Sequence, residues 1–348
     1  LMVGSDPTSS GSTAASLLIG EFMASNGFTL DDEDGDSSDW IDLVNATGSP
    51  IDLGGYQLTD SELLPQQWTI PAGLTLAPNE FLVVFASGKD RAGAGQELHT
   101  NFVLDGGGEY LALIAPDGTT VVQEFSPEYP AQVGDVSLDL DGLYRTEPTP
   151  GAVNSGPAVT GFVEDTKFSI DRGFYNAPFT VEITTVTPGA TIIYTTDSTT
   201  PSLTNGTRAV GQASVPINST TVLRAAAFKD GLAPTNVDTQ TYLFLSDVVT
   251  QSDNPNDYEY SNWNSLDGNR IADYGMDTNE VVGRLYTPEE MEESLRSLPT
   301  LSIATDAERL FDRETGNYAN SRKGGIEWER EVSMELLGFA HGADTQIN

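Results

Sequence analysis

Residues 31–39 read Asp-Asp-Glu-Asp-Gly-Asp-Ser-Ser-Asp, six carboxylates in nine positions. Asp32, Asp34 and Asp36 alternate like the first three ligands of an EF-hand loop, and calcium takes about six to eight such oxygens. The later positions depart from that loop. Gly35 stands fourth rather than sixth, and Leu43 occupies the place of the bidentate Glu. The spacing excludes an EF-hand and leaves two readings: an irregular Ca²⁺ site built by Asp32, Asp34, Asp36 and Asp39, or a solvated acidic loop between strands.

The remaining chemistry-bearing residues are sparse. His99 and His341 are the only histidines, and His99 has no local partner for base or zinc chemistry, which makes it a structural strand-end residue. The pairs Glu289/Glu290 and Glu292/Glu293 could serve a glycosidase only if two acids faced one sugar pocket, whereas these fall on an exposed helix face. Gly106-Gly-Gly108 lacks the Lys-Ser/Thr of a phosphate loop and feeds a strand. Arg322-Lys-Gly-Gly325 could approach a phosphate, but reads more simply as a surface turn. Of the aromatics able to stack on sugars, Trp68 and Tyr175 sit among strand patterns, and Trp263 in a polar stretch. No catalytic set emerges.

The composition sets the surroundings of these groups. Among 348 residues, 52 acids face 16 bases, for a net charge of −36, and thirteen acids precede the first base, Lys89. Phosphate neutralisation needs clustered Lys and Arg, so nucleic acid is excluded as a partner. Such a surface favours solubility in salt and divalent cations, which fits an extracellular, saline setting. The absence of cysteine removes disulfides, thiolate nucleophiles and Cys-held metals. The longest apolar runs, 81–86 and 110–115, have strand length, so no membrane span is predicted.

Between Leu17 and Phe125, about seven short apolar runs alternate with Gly, Pro and Asp clusters, the pattern of an antiparallel sandwich. The motifs Ile19-Gly-Glu-Phe-Met-Ala-Ser-Asn26, Asp39-Trp-Ile-Asp-Leu-Val-Asn45, Leu53-Gly-Gly-Tyr-Gln-Leu-Thr-Asp60 and Leu98-His-Thr-Asn-Phe102 resemble a bacterial lamin-tail domain. The resemblance implies an immunoglobulin-like sandwich with a binding or scaffolding role. Residues 126–165, with Glu147-Pro-Thr-Pro-Gly151, read as a semi-rigid linker with few packing residues.

Residues 166–245 alternate clearly: Phe179, Val181 and Ile183 share a face, as do Ile192 and Tyr194, while Val222 and Arg224 oppose Leu223 and Ala225. Gly173-Phe-Tyr175, Gly189-Ala-Thr-Ile-Ile-Tyr-Thr-Thr-Asp197 and Thr220-Thr-Val-Leu-Arg-Ala-Ala-Ala227 resemble the C-terminal domain of chitobiases and β-hexosaminidases. That domain accompanies enzymes without holding their active site. Ser198 departs from a family position that often holds Gly.

Residues 246–286 read as a polar linker. Thr287-Pro-Glu-Glu290 then starts a helix with Met291, Leu295 and Leu298 on one stripe, and a strand follows at 300–304. In a further strand, Trp328, Val332, Met334 and Leu336 share one face, with Glu329, Glu331 and Glu335 on the other. Leu310-Phe-Asp312, Gly316-Asn-Tyr-Ala-Asn320 and Glu327-Trp-Glu-Arg-Glu-Val-Ser-Met-Glu-Leu336 resemble the opening of a spore-coat protein H (CotH) kinase-like domain. The resemblance implies ATP and Mg²⁺ as cofactors only of a complete domain, and carries no catalytic residue onto these positions.

The expected architecture is therefore mainly β: a linker at 1–16, two immunoglobulin-like sandwiches in tandem (17–125 and 166–245), then a truncated α+β segment at 287–348, all as separate beads. The expected role is a non-catalytic part of a secreted or cell-surface bacterial protein that meets an extracellular protein or polysaccharide. The alternatives are an ATP-dependent kinase in a longer chain and a carbohydrate-binding module.

Overall fold

The computed structural model describes residues 17–93, 95–252, 262–263, 270–271, 275–277, 282–338 and 345–347. The linker expected at 1–16, His341, the Trp263 side chain and most of the polar linker at 246–286 lie outside the described residues. The chain is mainly β and divides into two units, Leu1–Gly161 and Phe162–Asn348.

In the first unit the strands are β1 (Leu17–Met23), β2 (Trp40–Asn45), β3 (Ile51–Asp52), β4 (Gln57–Thr59), β5 (Trp68–Thr69), β6 (Thr75–Leu76) and β7 (Phe81–Phe85). There follow β8 (Leu98–His99), β9 (Leu111–Ile114), β10 (Val121–Phe125), β11 (Ser137–Asp139), β12 (Tyr144–Arg145) and β13 (Ala158–Val159). One sheet runs β13-β12-β11-β1-β2-β7-β8 and the other β10-β9-β4-β5. Between the sheets, Phe22 meets Phe125 and Tyr129, each at 4.9 Å between ring centroids.

A bulge at Gly20 shifts the β1–β2 register between Ile19 and Glu21. Before it the odd residues Leu17 and Ile19 are buried with the core, and after it Phe22 is the residue that meets the second sheet. A Cβ at Gly20 would lie 3.2 Å from Val44, which explains the glycine. Glu21 thereby falls opposite Asp42, and Met23 opposite Trp40. Trp40 and Met23 pack with Phe85 in a small second cluster.

The stretch 126–165 is not a linker. β11, β12 and β13 extend the first sheet beyond β1, and Tyr129 is fully buried. The Pro-Thr-Pro-Gly segment is tied down as well. Thr149 donates its N–H and hydroxyl to the Glu21 carboxylate, and Gly151 N–H donates to Asp42 Oδ2 at 2.9 Å. Strands two or three residues long among Pro, Gly and Asp leave almost no periodicity to read.

The second unit contains β14 (Lys167–Phe168), β15 (Gly173–Tyr175), β16 (Phe179–Thr184), β17 (Thr191–Thr195), β18 (Thr207–Val210), β19 (Gln212–Ile217), β20 (Thr221–Phe228) and β21 (Asp238–Phe244). Sheets β14-β16-β19 and β15-β21-β20-β17-β18 enclose a core of Val181, Ile183, Ile192, Val215, Leu223, Ala225 and Tyr242. The alternations expected in β16 and β17 hold. Ser198 adopts φ 69°, the left-handed region that Gly fills at no steric cost, which explains why the related position favours Gly.

After β21 come α1 (Leu245–Val249), β22 (Asn262–Trp263), β23 (Arg270–Ile271), α2 (Pro288–Arg296), β24 (Thr300–Ala304), α3 (Ala307–Phe311), β25 (Ser333–Leu337) and β26 (Thr345–Ile347). α2 begins at the expected capping box: Thr287 Oγ1 accepts from Glu290 N–H, and Glu290 reaches back to Thr287 N–H. β24, β25 and β26 form one antiparallel sheet.

This segment is not a separate bead. Glu335 of β25 is fully buried against β21, accepting from the backbone N–H and hydroxyl of Thr241 and pairing with Arg172 at 3.3 Å. The strand expected from Trp328 begins only at Ser333, Trp328 lying in a short 3-10 helix, and its alternation holds with the Glu335 face turned inward. Ser333, Glu335 and Leu337 point inward, whereas Leu336, with Leu301 and Ile303 of β24, is exposed.

Removing the Glu335 carboxylate leaves Arg172 and the Thr241 N–H without their anion. Glu335→Ala should destabilise the second unit by about 3 kcal/mol, measured by urea unfolding. An unchanged midpoint for this unit would mean that residues 300–337 add nothing to the sandwich.

Candidate functional site

The loop of residues 31–38 is organised around Asp32, whose side chain is fully out of solvent. Its Oδ1 accepts the N–H groups of Asp34 (3.0 Å) and Asp36 (3.2 Å), closing the loop on itself, and its Oδ2 accepts from the Ser38 hydroxyl at 2.7 Å. Backbone bonds Asp32 N–H to Asp36 O and Gly35 N–H to Asp32 O complete the turn, with Gly35 at φ 81°.

Lys89 closes the open side. Its ammonium lies 2.6 Å from Asp32, 2.7 Å from Asp34 and 2.9 Å from Asp36. Arg91 adds pairs to Asp34 (2.7 Å) and Glu33 (3.0 Å), while Glu33 N–H donates to Glu97. The turn carrying Lys89 has left-handed residues on both sides, Gly88 at φ 72° and Asp90 at φ 52°, and Arg91 exchanges backbone bonds with His99. Burial would raise the Asp32 carboxyl, but Lys89, Ser38 and the two loop N–H groups outweigh it and hold it well below the usual range. Lys89 is raised in turn by Asp32 and Asp34, and Asp34 is lowered by Lys89 and Arg91.

Three of the four anticipated ligands are thus brought together: one oxygen from each of Asp32, Asp34 and Asp36 lies within 4.8 Å of the others. Asp39 is not among them. Its Oδ1 accepts the Asn26 N–H at 3.0 Å, and burial raises its carboxyl to about 6. The donor set fits calcium only in part, because it offers three carboxylate oxygens and a resident ammonium stands among them. Sequence reasoning missed Lys89 and Arg91. Their signal was their position as the first bases after thirteen acids.

The other candidates are absorbed by packing. His99 is fully buried, stacked on Phe85 at 5.3 Å with Nδ1 2.9 Å from Ser87 Oγ, and burial pulls its imidazole below the usual value. Trp68 is buried in the first sandwich, and Tyr175 packs on Phe179 at 4.4 Å in the second. Lys323 lies over the Trp328 ring at 4.4 Å, beside the exposed Gly324-Gly325 turn. Glu290 is spent on its helix cap.

Two further acids, Glu21 and Asp42, are fully buried side by side and hold residues 149–151. Burial raises the Asp42 carboxyl to about 7, opposed by the Gly151 N–H and assisted by Glu21, and its Oδ1 meets no partner among the described residues.

One family model matches within each of the two units. Residues 10–127 match the Lamin Tail Domain family. Residues 170–239 match the Chitobiase/beta-hexosaminidase C-terminal domain family. No curated protein and no solved structure matches the chain. The lamin-tail match ends at residue 127, whereas the sheet of that unit runs on to β13 at Val159.

Two outcomes follow from this geometry. Lys89→Met should lower the stability of the first unit by leaving the enclosed Asp32 without its cation, and millimolar calcium should restore more stability to the variant than to the wild type. Equal calcium affinity in both, by calorimetric titration, would remove Lys89 as the competing cation. For Asp42 the folded carboxyl titrates above its ordinary value of 3.8, so folding takes up a proton between about pH 4 and 7. Its contribution is therefore present in acid and lost as pH rises through about 7. Asp42→Asn should flatten that slope and gain roughly 1–3 kcal/mol at pH 7 relative to pH 4, read from paired denaturation curves.

Proposed function

We propose that this chain is a non-catalytic binding and scaffolding part of a secreted or cell-surface multidomain protein, and that its sandwiches present loops to an extracellular protein or polysaccharide. The observation that carries the reading is where the chemistry-bearing side chains are spent. Asp32, Asp34 and Asp36 bind Lys89, His99 stacks in a core, and Glu21 and Asp42 secure a segment of backbone. Each of these acts on the protein itself. Both family matches fall on β-sandwich modules, and the charge of −36 suits a salt-bathed surface. No helix among the described residues is long and apolar enough to cross a membrane.

Calcium enters this reading as an ion that would displace Lys89 from the loop and lock it at extracellular concentrations. A kinase reading rests on the sequence resemblance of residues 287–348 alone.

The test is an array of chitin, cellulose and algal glycans together with basic extracellular proteins, probed with the whole chain at low and high salt. Retention of at least one ligand class is expected, weakening with salt where the partner is cationic. Retention of none would sink the proposal, and transfer of label from ATP to a protein would replace it with the kinase reading.

A further inference from the structure

In an open sandwich the outward face of β20 would meet water, and an arginine there would be unremarkable. Arg224 is instead only 8% exposed, because the segment ending in β25 covers that face; Thr305 and Ser333 are buried alongside. Its guanidinium is held at one corner. Nη1 donates to Ser198 O at 3.0 Å and to Thr200 Oγ1 at 3.1 Å. Nε meets no acceptor, and neither it nor Nη2 is joined to a carboxylate among the described residues.

The nearest acids are already engaged. Both Asp306 oxygens accept from Thr200, its N–H at 2.7 Å and its hydroxyl at 2.8 Å. Asp306 and Glu331 also share Arg309, at 3.4 Å and 3.1 Å. Among the described residues this buried guanidinium is thus left without a direct anionic partner. Burying a cation that way is costly, and burial pulls the Arg224 pKa below its ordinary value.

Beside Arg224 lies a cavity of about 270 Å³, walled by Thr200, Thr235, Asn236, Val237, Val332 and Ser333, with the largely exposed Glu331 at its edge. Its contents are constrained by charge and shape. One guanidinium balances no more than one negative charge, and with Nη1 given to Ser198 and Thr200 and Nε closed from solvent, Nη2 is the edge left to meet a carboxylate oxygen. A tetrahedral dianion would carry surplus charge beside Asp306 and Glu331 and would find no second free cation on the walls. Val237 and Val332 suit the carbon skeleton behind the carboxylate.

We propose that this cavity, at the seam between the second sandwich and residues 305–333, binds a small monocarboxylate through Arg224. Its size admits molecules from acetate to a single sugar acid. The proposal does not rest on the scaffolding reading, since it concerns a small-molecule ligand and not a macromolecular partner.

The test uses the whole chain with acetate, lactate and galacturonate as probes, and galactose and sulfate as controls at matched ionic strength. At least one carboxylate should raise the unfolding midpoint of the second unit saturably, by roughly 2–4 °C, with Arg224→Met abolishing the shift. Phenylglyoxal labelling of Arg224 in the wild type, read by peptide mass spectrometry, should slow at least threefold with that carboxylate and not with galactose. This readout stands even if the variant does not fold. A shift that persists in Arg224→Met, sulfate acting as well as the carboxylates, or labelling unaffected by every probe would each overturn the assignment.

Discussion

A carboxylate taken out of water must be met by donors, and much of this structure is arranged around that requirement. Glu21, Asp32, Asp42 and Glu335 are all buried, and each holds a piece of chain that would otherwise be loose. Glu21 and Asp42 grip the backbone at 149–151, Asp32 winds residues 32–38 around its own oxygens, and Glu335 joins β25 to β21. In a chain without cysteine these contacts occupy the place that disulfides fill in many small extracellular domains. They work through backbone N–H groups as much as through cations, which suits a sequence with so few bases.

The scale of these interactions explains which acids matter. Most of the carboxylates among the described residues are at least partly in water, where a pair with Lys or Arg contributes little. Arg309–Glu331 is of this kind, with Glu331 largely exposed. Asp32–Lys89 differs, because the acid's side chain is out of solvent and the loss of Lys89 would leave it only the neutral donors of its own loop. The same logic applied in reverse singles out Arg224. There the enclosed charge is positive and direct compensation is missing, so a bound anion completes what the chain leaves open.

How much was legible in the sequence follows from the length and exposure of each element. Runs of five or more residues with alternation, such as β16 and β17, could be placed and faced correctly, because one side packs around Val181 and Ile192. The capping box at Thr287 fixed the start of α2 for a purely local reason. β11, β12 and β13 escaped notice because strands so short carry no period, and β11, which joins the other two to the sheet, pairs with β1 more than a hundred residues away. In the acidic loop, Asp32, Asp34 and Asp36 could be grouped from spacing alone. Lys89 could not, since it lies more than fifty residues downstream on a turn whose course depends on Gly88 and Asp90.

β25 shows the limit of reading faces from hydrophobicity. Alternation puts Met334 and Leu336 on one side and Glu335 on the other, and apolar burial alone would turn the first side inward. Leaving an apolar side chain of that size exposed forfeits about 1.5–3 kcal/mol, whereas stranding Arg172 and the Thr241 N–H without their carboxylate costs about 3–5 kcal/mol. A slip of one residue would exchange the two faces entirely, so the register is decided by four polar groups: Glu335, Arg172, and the amide and hydroxyl of Thr241. The consequence is an outward row of Leu301, Ile303 and Leu336 on β24 and β25. The margin between the two terms is small, which makes the buried carboxylate both the lock of this sheet and its weakest point.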